Sequence, residues 1–182
     1  MFLEKEMKIT WRLLLAVAFA LVMTACKTTP PVTDTTDTTD TKPVVEDVST
    51  AAAPDPRDYT DARNFDNPES LLSKRVVYFD FDKSEIKAEY RPIVAAHAAY
   101  VAAHSSARVT LEGHTDERGT REYNLGLGER RGNSVSGLLS AAGASGGQLD
   151  VVSYGEERPV CRVSDENCWW QNRRVEIVYT AR

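Results

Sequence analysis

The stretch Leu111–Val135, LEGHTDERGTREYNLGLGERRGNSV, decides how this chain folds. It reads as the end of a strand, a polar loop and a helix. Val109 and Leu111 alternate with polar neighbours in R-V-T-L-E, the pattern of a half-buried strand. Gly113 is expected to end that strand, and Gly119 to break the chain again. His114, Thr115 and Asp116 then stand at a strand exit, where side chains meet a ligand on a rigid frame. A helix beginning near Thr120 or Arg121 carries Arg131 in its interior. The result is a carboxylate on a loop and a guanidinium on a helix, fifteen positions apart.

That pairing has a chemistry. Asp116 offers acceptor oxygens to an ammonium, and the planar fork of Arg131 can hold a carboxylate through two hydrogen bonds. A ligand with an ammonium and a carboxylate on one carbon would satisfy both. The bland alternative is a salt bridge between Asp116 and Arg131 themselves.

Outward from this motif, helices alternate with strands. Arg75–Phe81, RVVYFDF, is rich in β-branched and aromatic residues and reads as a strand. Asp82, Lys83 and Ser84 turn the chain into a helix over about Ala88–His104, with Pro92 tolerated in its first turn. Ile93, Val94, His97, Tyr100, Val101 and His104 share one stripe of it, so His97 is expected as a packed core histidine. The second helix runs from about Arg121 to Ala142 and contains Gly126, Gly128, Gly132 and Gly137. Each costs roughly 0.8–1 kcal/mol relative to alanine in a helix interior. Either the backbone packs closely there or the helix is weak. Gly132→Ala is expected to raise the melting temperature without loss of binding, and a drop would show that the glycine is needed for its backbone or for close packing. Leu149–Tyr154 and Arg174–Thr180 read as further strands, with Trp169 and Trp170 in a short helical stretch between them. This alternation predicts a layered α/β arrangement.

The segment GHTDERGTREYNLGLGERR, with VYFDFDKSEIK before it and VSYGEERPV and QNRRVEIVY after it, resembles the peptidoglycan-associated lipoproteins, whose C-terminal domain is OmpA-like. The resemblance covers roughly Val76–Tyr179. It implies a βαβαβαβ domain with helices packed on a mixed four-stranded sheet. It also implies non-covalent binding of diaminopimelate in peptidoglycan stem peptides, with Asp116 on the ammonium and Arg131 on the carboxylate. Phe81 and Asp82 match the first-strand side of the family's pocket, and Thr115 and Leu127 complete the implied set. A role in the Tol-Pal system follows from the same resemblance. TolB is the chief partner, over a surface that includes Glu117, Arg118, Thr120, Arg121 and Tyr123.

The N-terminal part reads differently. Leu13–Met23 is an eleven-residue apolar run, short for a membrane span but suited to a secretory signal, with Lys8 and Arg12 as its positive flank. Glu4 and Glu6 fit that flank poorly, and initiation at Met7 would remove them. The run ends in Val-Met-Thr-Ala-Cys, which resembles a bacterial lipoprotein cleavage site. Residues 1–25 are therefore expected to be removed and Cys26 to carry the lipid. Several acyl chains hold a protein firmly in a bilayer, at about 0.8 kcal/mol per buried methylene. Lys27 in place of an aspartate favours, by the family's pattern, transport to the outer membrane with the domain facing the periplasm.

Residues 27–70 are rich in Thr, Asp, Pro and Ala and include the repeat TDTTDTTDT. Such a composition buries too little apolar surface to offset its ordering entropy, so residues 26–70 are expected as a lipidated, disordered tether to a domain at 71–182. Fully extended, the tether would reach roughly 140 Å. Tyr59 and Phe65 are candidates to dock its end on the domain. The net charge of −5 resides here: residues 27–70 hold ten acids and four bases, while residues 71–182 hold fifteen of each. A neutral domain without a concentrated basic face excludes nucleic acid as the expected partner.

Cys161 and Cys168 lie seven positions apart in a chain read as secreted, where disulfides persist. They are expected to pair, two free buried thiols being the alternative. Two thiols without a nearby histidine are too few for zinc. No cofactor or metal is expected. A wall hydrolase would have to use Glu112, His114 and Asp116, and no third zinc ligand is identifiable. An outer-membrane barrel or a flagellar stator protein with the same domain would need membrane-embedded segments.

Overall fold

The strand leading into the central motif, β2 (Arg108–His114), lies inside a four-stranded sheet. The computed structural model describes residues 52–182. β2 pairs antiparallel with β4 (Arg174–Ala181) and parallel with β3 (Leu149–Gly155), and β1 (Val76–Tyr78) pairs antiparallel with β4. The order is β1-β4-β2-β3. The intervening helices are α1 (Arg91–Ala103), α2 (Arg121–Ala141) and α3 (Glu166–Asn172), so the chain runs β-α-β-α-β-α-β as expected.

The pleat explains the core. Leu111 of β2 pairs with Ile177 of β4 and Val151 of β3, and Val77 of β1 pairs with Val175. Val94, Ala98 and Val101 of α1 and Val135 and Leu139 of α2 join Val109, Leu111, Val175 and Ile177 in one buried cluster. Each large aliphatic side chain buried there contributes roughly 1.5–3 kcal/mol.

α2 starts where the sequence stops it from starting earlier. Gly119 has φ +118°, and Thr120 caps the helix by accepting a hydrogen bond from the Tyr123 amide (3.2 Å). Two of its four glycines, Gly128 and Gly132, face the sheet. A Cβ on Gly113 would lie 2.0 Å from the Gly128 carbonyl oxygen, and one on Gly132 would lie 2.5 Å from Val151 Cγ1. Gly113 therefore does not end β2, contrary to expectation. The strand continues to His114, and the glycine is there to let α2 approach. What changes is register: between Gly113 and His114 the pairing slips so that His114 opposes Gly155, a bulge immediately before the functional loop.

His97 is buried as expected, bonded to the Tyr179 hydroxyl and the Lys74 carbonyl at 2.9 Å each. The expected boundary at residue 71 needs correction. Phe65 and Leu72 are buried with Ala96, Tyr100 and Ala107, and Tyr59 packs against them. Phe65 stands edge-on to both Tyr100 and Tyr179, with centroids 4.7 Å apart in each case. Buried Asn64 donates to the carbonyls of Asp55 and Asp58 (2.7 Å each). These aromatics and Asn64 find partners on α1 and in the segment itself, so residues 52–70 belong to the fold. Cys26 and the apolar run Leu13–Met23 lie outside the described residues. Among the described residues no helix is long and apolar enough to cross a membrane.

Cys161 and Cys168 form a disulfide with Cα atoms 5.2 Å apart, tying the loop after β3 to α3. The Asn172 side chain braces the same loop, accepting from the amides of Val160 (2.9 Å) and Cys161 (3.1 Å) and donating to the Cys161 carbonyl (2.7 Å).

Candidate functional site

The loop after β2, the turn after β1 and the N-terminal half of α2 enclose a cavity of about 190 Å³. Phe81, Asp82, Thr115, Asp116, Leu127 and Arg131 all line it, so residues far apart in sequence converge as anticipated. Arg118, Gly119, Tyr123, Asn124 and Arg173 complete the lining.

Arg131 is fully buried. It donates from Nε to the Lys83 carbonyl (2.8 Å), from Nη1 to the His114 carbonyl (2.9 Å) and from Nη2 to the Asp80 carbonyl (3.0 Å). A guanidinium has five donors, so two are left. Burial lowers its pKa to about 10, against the pull of Asp116, and it stays charged at neutral pH.

Asp116 is not its partner, so the simple salt bridge between them is not formed. Asp116 accepts from the Arg118 amide (3.1 Å), Arg118 Nε (3.3 Å), Arg118 Nη2 (2.6 Å) and Arg173 Nη1 (3.2 Å). Burial opposes its negative charge, but the bonds from Arg118 and Arg173 outweigh it and hold its carboxyl below the usual range.

The first-strand side of the cavity is a turn in which Asp82 has φ +55°, a left-handed conformation that a non-glycine residue adopts at some cost. Tyr123 donates its hydroxyl to the Asp82 carboxylate, joining this turn to α2. Phe81 is half exposed at the mouth. Thr115 is buried, and its hydroxyl has no partner among the described residues.

The five residues anticipated as a protein-docking surface divide. Arg118 and Tyr123 line the cavity itself. Thr120 caps α2, Arg121 pairs with Glu157, and Glu117 accepts from Trp169 Nε1 (3.1 Å). Arg173 was missed as a site residue. It stood in QNRRVEIVY, but nothing in spacing tells which of two adjacent arginines, both buried, lines the cavity.

His114 faces the opposite side, stacked on Tyr154 with centroids 5.5 Å apart. Burial, aided by Arg174, lowers its pKa to about 4. It is neutral at pH 7, so its 3.9 Å approach to Glu176 is not an ion pair there. Gly143-Ala144-Ser145-Gly146-Gly147 has the spacing of a nucleophile elbow, but Ser145 caps the turn that leads into β3 rather than standing between a strand and a helix. Among the described residues no group of three His, Cys, Asp or Glu side chains is placed to hold a metal.

Comparison with known proteins agrees with this architecture. The OmpA family's profile matches residues 78–172. The peptidoglycan-associated lipoprotein of Haemophilus influenzae is 50% identical over 103 residues, covering 57% of this chain and 67% of that protein. That of Pseudomonas aeruginosa is 53% identical over 108 residues, covering 59% and 64% respectively. The match thus spans about two thirds of these relatives' length. The crystal structure of the peptidoglycan-associated lipoprotein from Burkholderia pseudomallei superposes with a TM-score of 0.62 at 43% identity, over 64% of this chain and 98% of that one. The C-terminal domain of Helicobacter pylori MotB, 20% identical with a TM-score of 0.54, shares the fold. The chain belongs to the OmpA family and, within it, to the group of the peptidoglycan-associated lipoproteins.

Proposed function

We propose that this cavity binds peptidoglycan non-covalently by holding the free amino-acid head of diaminopimelate in a stem peptide. The observation that carries this reading is the buried Arg131, whose charge is met by backbone carbonyls and by no carboxylate ion pair among the described residues. A ligand carboxylate would take its two remaining donors. Asp116, in the same cavity, would take the ammonium, with the partnerless Thr115 hydroxyl beside it. Phe81, Asp82 and Leu127 would wall the ligand's chain. The relatives' names, which state association with peptidoglycan, support this reading.

Lipidation at Cys26 would then anchor the chain in the outer membrane, with the folded unit in the periplasm tethering that membrane to the wall. TolB would dock over Glu117, Arg118, Thr120, Arg121 and Tyr123. Because Arg118 and Tyr123 also line the cavity, wall and TolB would compete for it within a Tol-Pal role in envelope integrity and division. The function is binding rather than catalysis.

Calorimetric titration of the full chain with a diaminopimelate-containing stem peptide tests the clamp. Wild type is expected to bind, Arg131→Ala to lose about 30-fold or more, the effect of removing one partner of a buried charge pair, and Asp116→Asn to lose less, because Arg118 already occupies Asp116. Retained affinity in Arg131→Ala would move the site elsewhere.

A further inference from the structure

The ammonium side of the cavity is already filled by the protein. A carboxylate has about four acceptor positions. Asp116 uses all of them: Oδ1 accepts from the Arg118 amide and Nε, and Oδ2 from Arg118 Nη2 and Arg173 Nη1. Nothing is left for an incoming ammonium.

The two arginines are held very differently. Arg173 is buried and fixed from three sides, donating also to the Phe79 carbonyl (3.1 Å) and to Glu166 (2.5 Å). Arg118 stands at the mouth with 30% of its side chain exposed. Its guanidinium lies between the Phe81 and Trp169 rings, 4.0 and 4.1 Å from their centroids. Exposed Glu166 is 3.5 Å away on the solvent side. Arg118 can therefore leave Asp116 for an acceptor already within reach, while Arg173 cannot leave without opening the fold.

We propose that Arg118 is a displaceable internal cation that determines ligand specificity: it occupies on Asp116 the place of the ligand's ammonium, and the ligand binds by exchanging with it. The inference rests on the zwitterion reading of the cavity. With Arg118 seated, the open donors are those of Arg131, and the cavity takes a bare carboxylate. With Arg118 swung towards Glu166, Asp116 is uncovered and the cavity takes a zwitterion. The ammonium then adds to affinity only the difference between two charge-assisted contacts, because each ligand bond replaces one to Arg118. Discrimination between a zwitterion and a bare carboxylate is correspondingly muted in the wild type.

The experiment uses the full chain and two probes. One is a stem peptide with diaminopimelate, and the other carries 2-aminopimelate in its place, keeping the far carboxylate and lacking the free ammonium. Each is titrated into wild type, Arg118→Ala and Arg118→Gln, with circular dichroism checking the fold. The glutamine variant retains more of the contact with Phe81 and Trp169. Both variants are expected to bind the diaminopimelate probe about tenfold tighter, the scale of one charge-assisted contact. The 2-aminopimelate probe is expected to bind no tighter, so the selectivity ratio rises. Equal or weaker binding of the diaminopimelate probe by both variants would overturn the exchange while leaving the clamp standing. Failure of all three proteins to bind either probe would overturn the clamp, and the exchange with it.

Discussion

Arg131 does two jobs with one guanidinium. Its bonds to the carbonyls of Asp80, Lys83 and His114 join the turn after β1 to the end of β2, and it lines the cavity as well. Arg131→Ala strands three acceptors and is expected to cost about 2–4 kcal/mol of stability as well as binding. Urea unfolding separates the two effects, and Asp116→Asn serves as the variant that loses the charge alone. Two histidines give the fold a pH dependence. Burial lowers the pKa of His97 to about 4, against the pull of its bond to the Lys74 carbonyl, and burial does the same to His114. The ordinary value is about 6.5. Between those values the unfolded chain takes up protons that the folded one refuses, so stability is fully present above about pH 6.5 and falls as pH drops towards 4. Each histidine adds at most about 1.4 kcal/mol per pH unit to that slope. Asp116 acts lower: its depressed carboxyl contributes stability above the usual carboxylate range and loses it on further acidification. Thermal melts from pH 7 to 4.5 are expected to fall steadily, with a shallower fall in His97→Gln. A flat profile would mean that both imidazoles accept protons in the native state.

α2 carries the glycines that its sequence made ambiguous. Gly128 and Gly132 lie against the sheet, where an added Cβ would meet Ser153 Oγ at 2.4 Å and Val151 Cγ1 at 2.5 Å. Val151 is β-branched and stiff, so it cannot swing away at little cost. Contrary to the expectation from sequence, Gly132→Ala should therefore lower the melting temperature, by the roughly 1–3 kcal/mol typical of overpacking. Gly137 has nothing within 4 Å of where its Cβ would stand. Gly137→Ala is expected to stabilise by about 0.8–1 kcal/mol, the intrinsic helix preference with no packing term. Differential scanning calorimetry of the two variants should show opposite shifts, and a stabilising Gly132→Ala would mean that α2 can move off β3 cheaply. Since α2 holds Leu127 and Arg131, close seating on β2 and β3 is what fixes the depth of the cavity.

At the scale of the whole molecule, the folded unit begins well before residue 71. Phe65 packs on Tyr100 of α1 and Tyr179 of β4, in a second buried cluster with Leu72, Ala96 and Ala107. Phe65→Ala is expected to cost about 3–5 kcal/mol, as a large aromatic lost from a core does. Chemical denaturation tests this, and a loss below about 1 kcal/mol would return the segment to the status of a tether. The sequence by itself determined the order of strands and helices, which follows from local signals: strand alternation in R-V-T-L-E, and Gly119 and Thr120 at the start of α2. The mixed sheet and the roles of Asp116 and Arg131 were implied only by the family resemblance. Only the tertiary structure decided which partners those charges take. Adjacent arginines look alike along a chain, and whether one turns inward to Asp116 or Phe79 depends on what packs beside it. The glycines of α2 and the buried Phe65 follow the same rule. Their cost or benefit is set by the surface they meet, and that surface comes from residues distant in sequence.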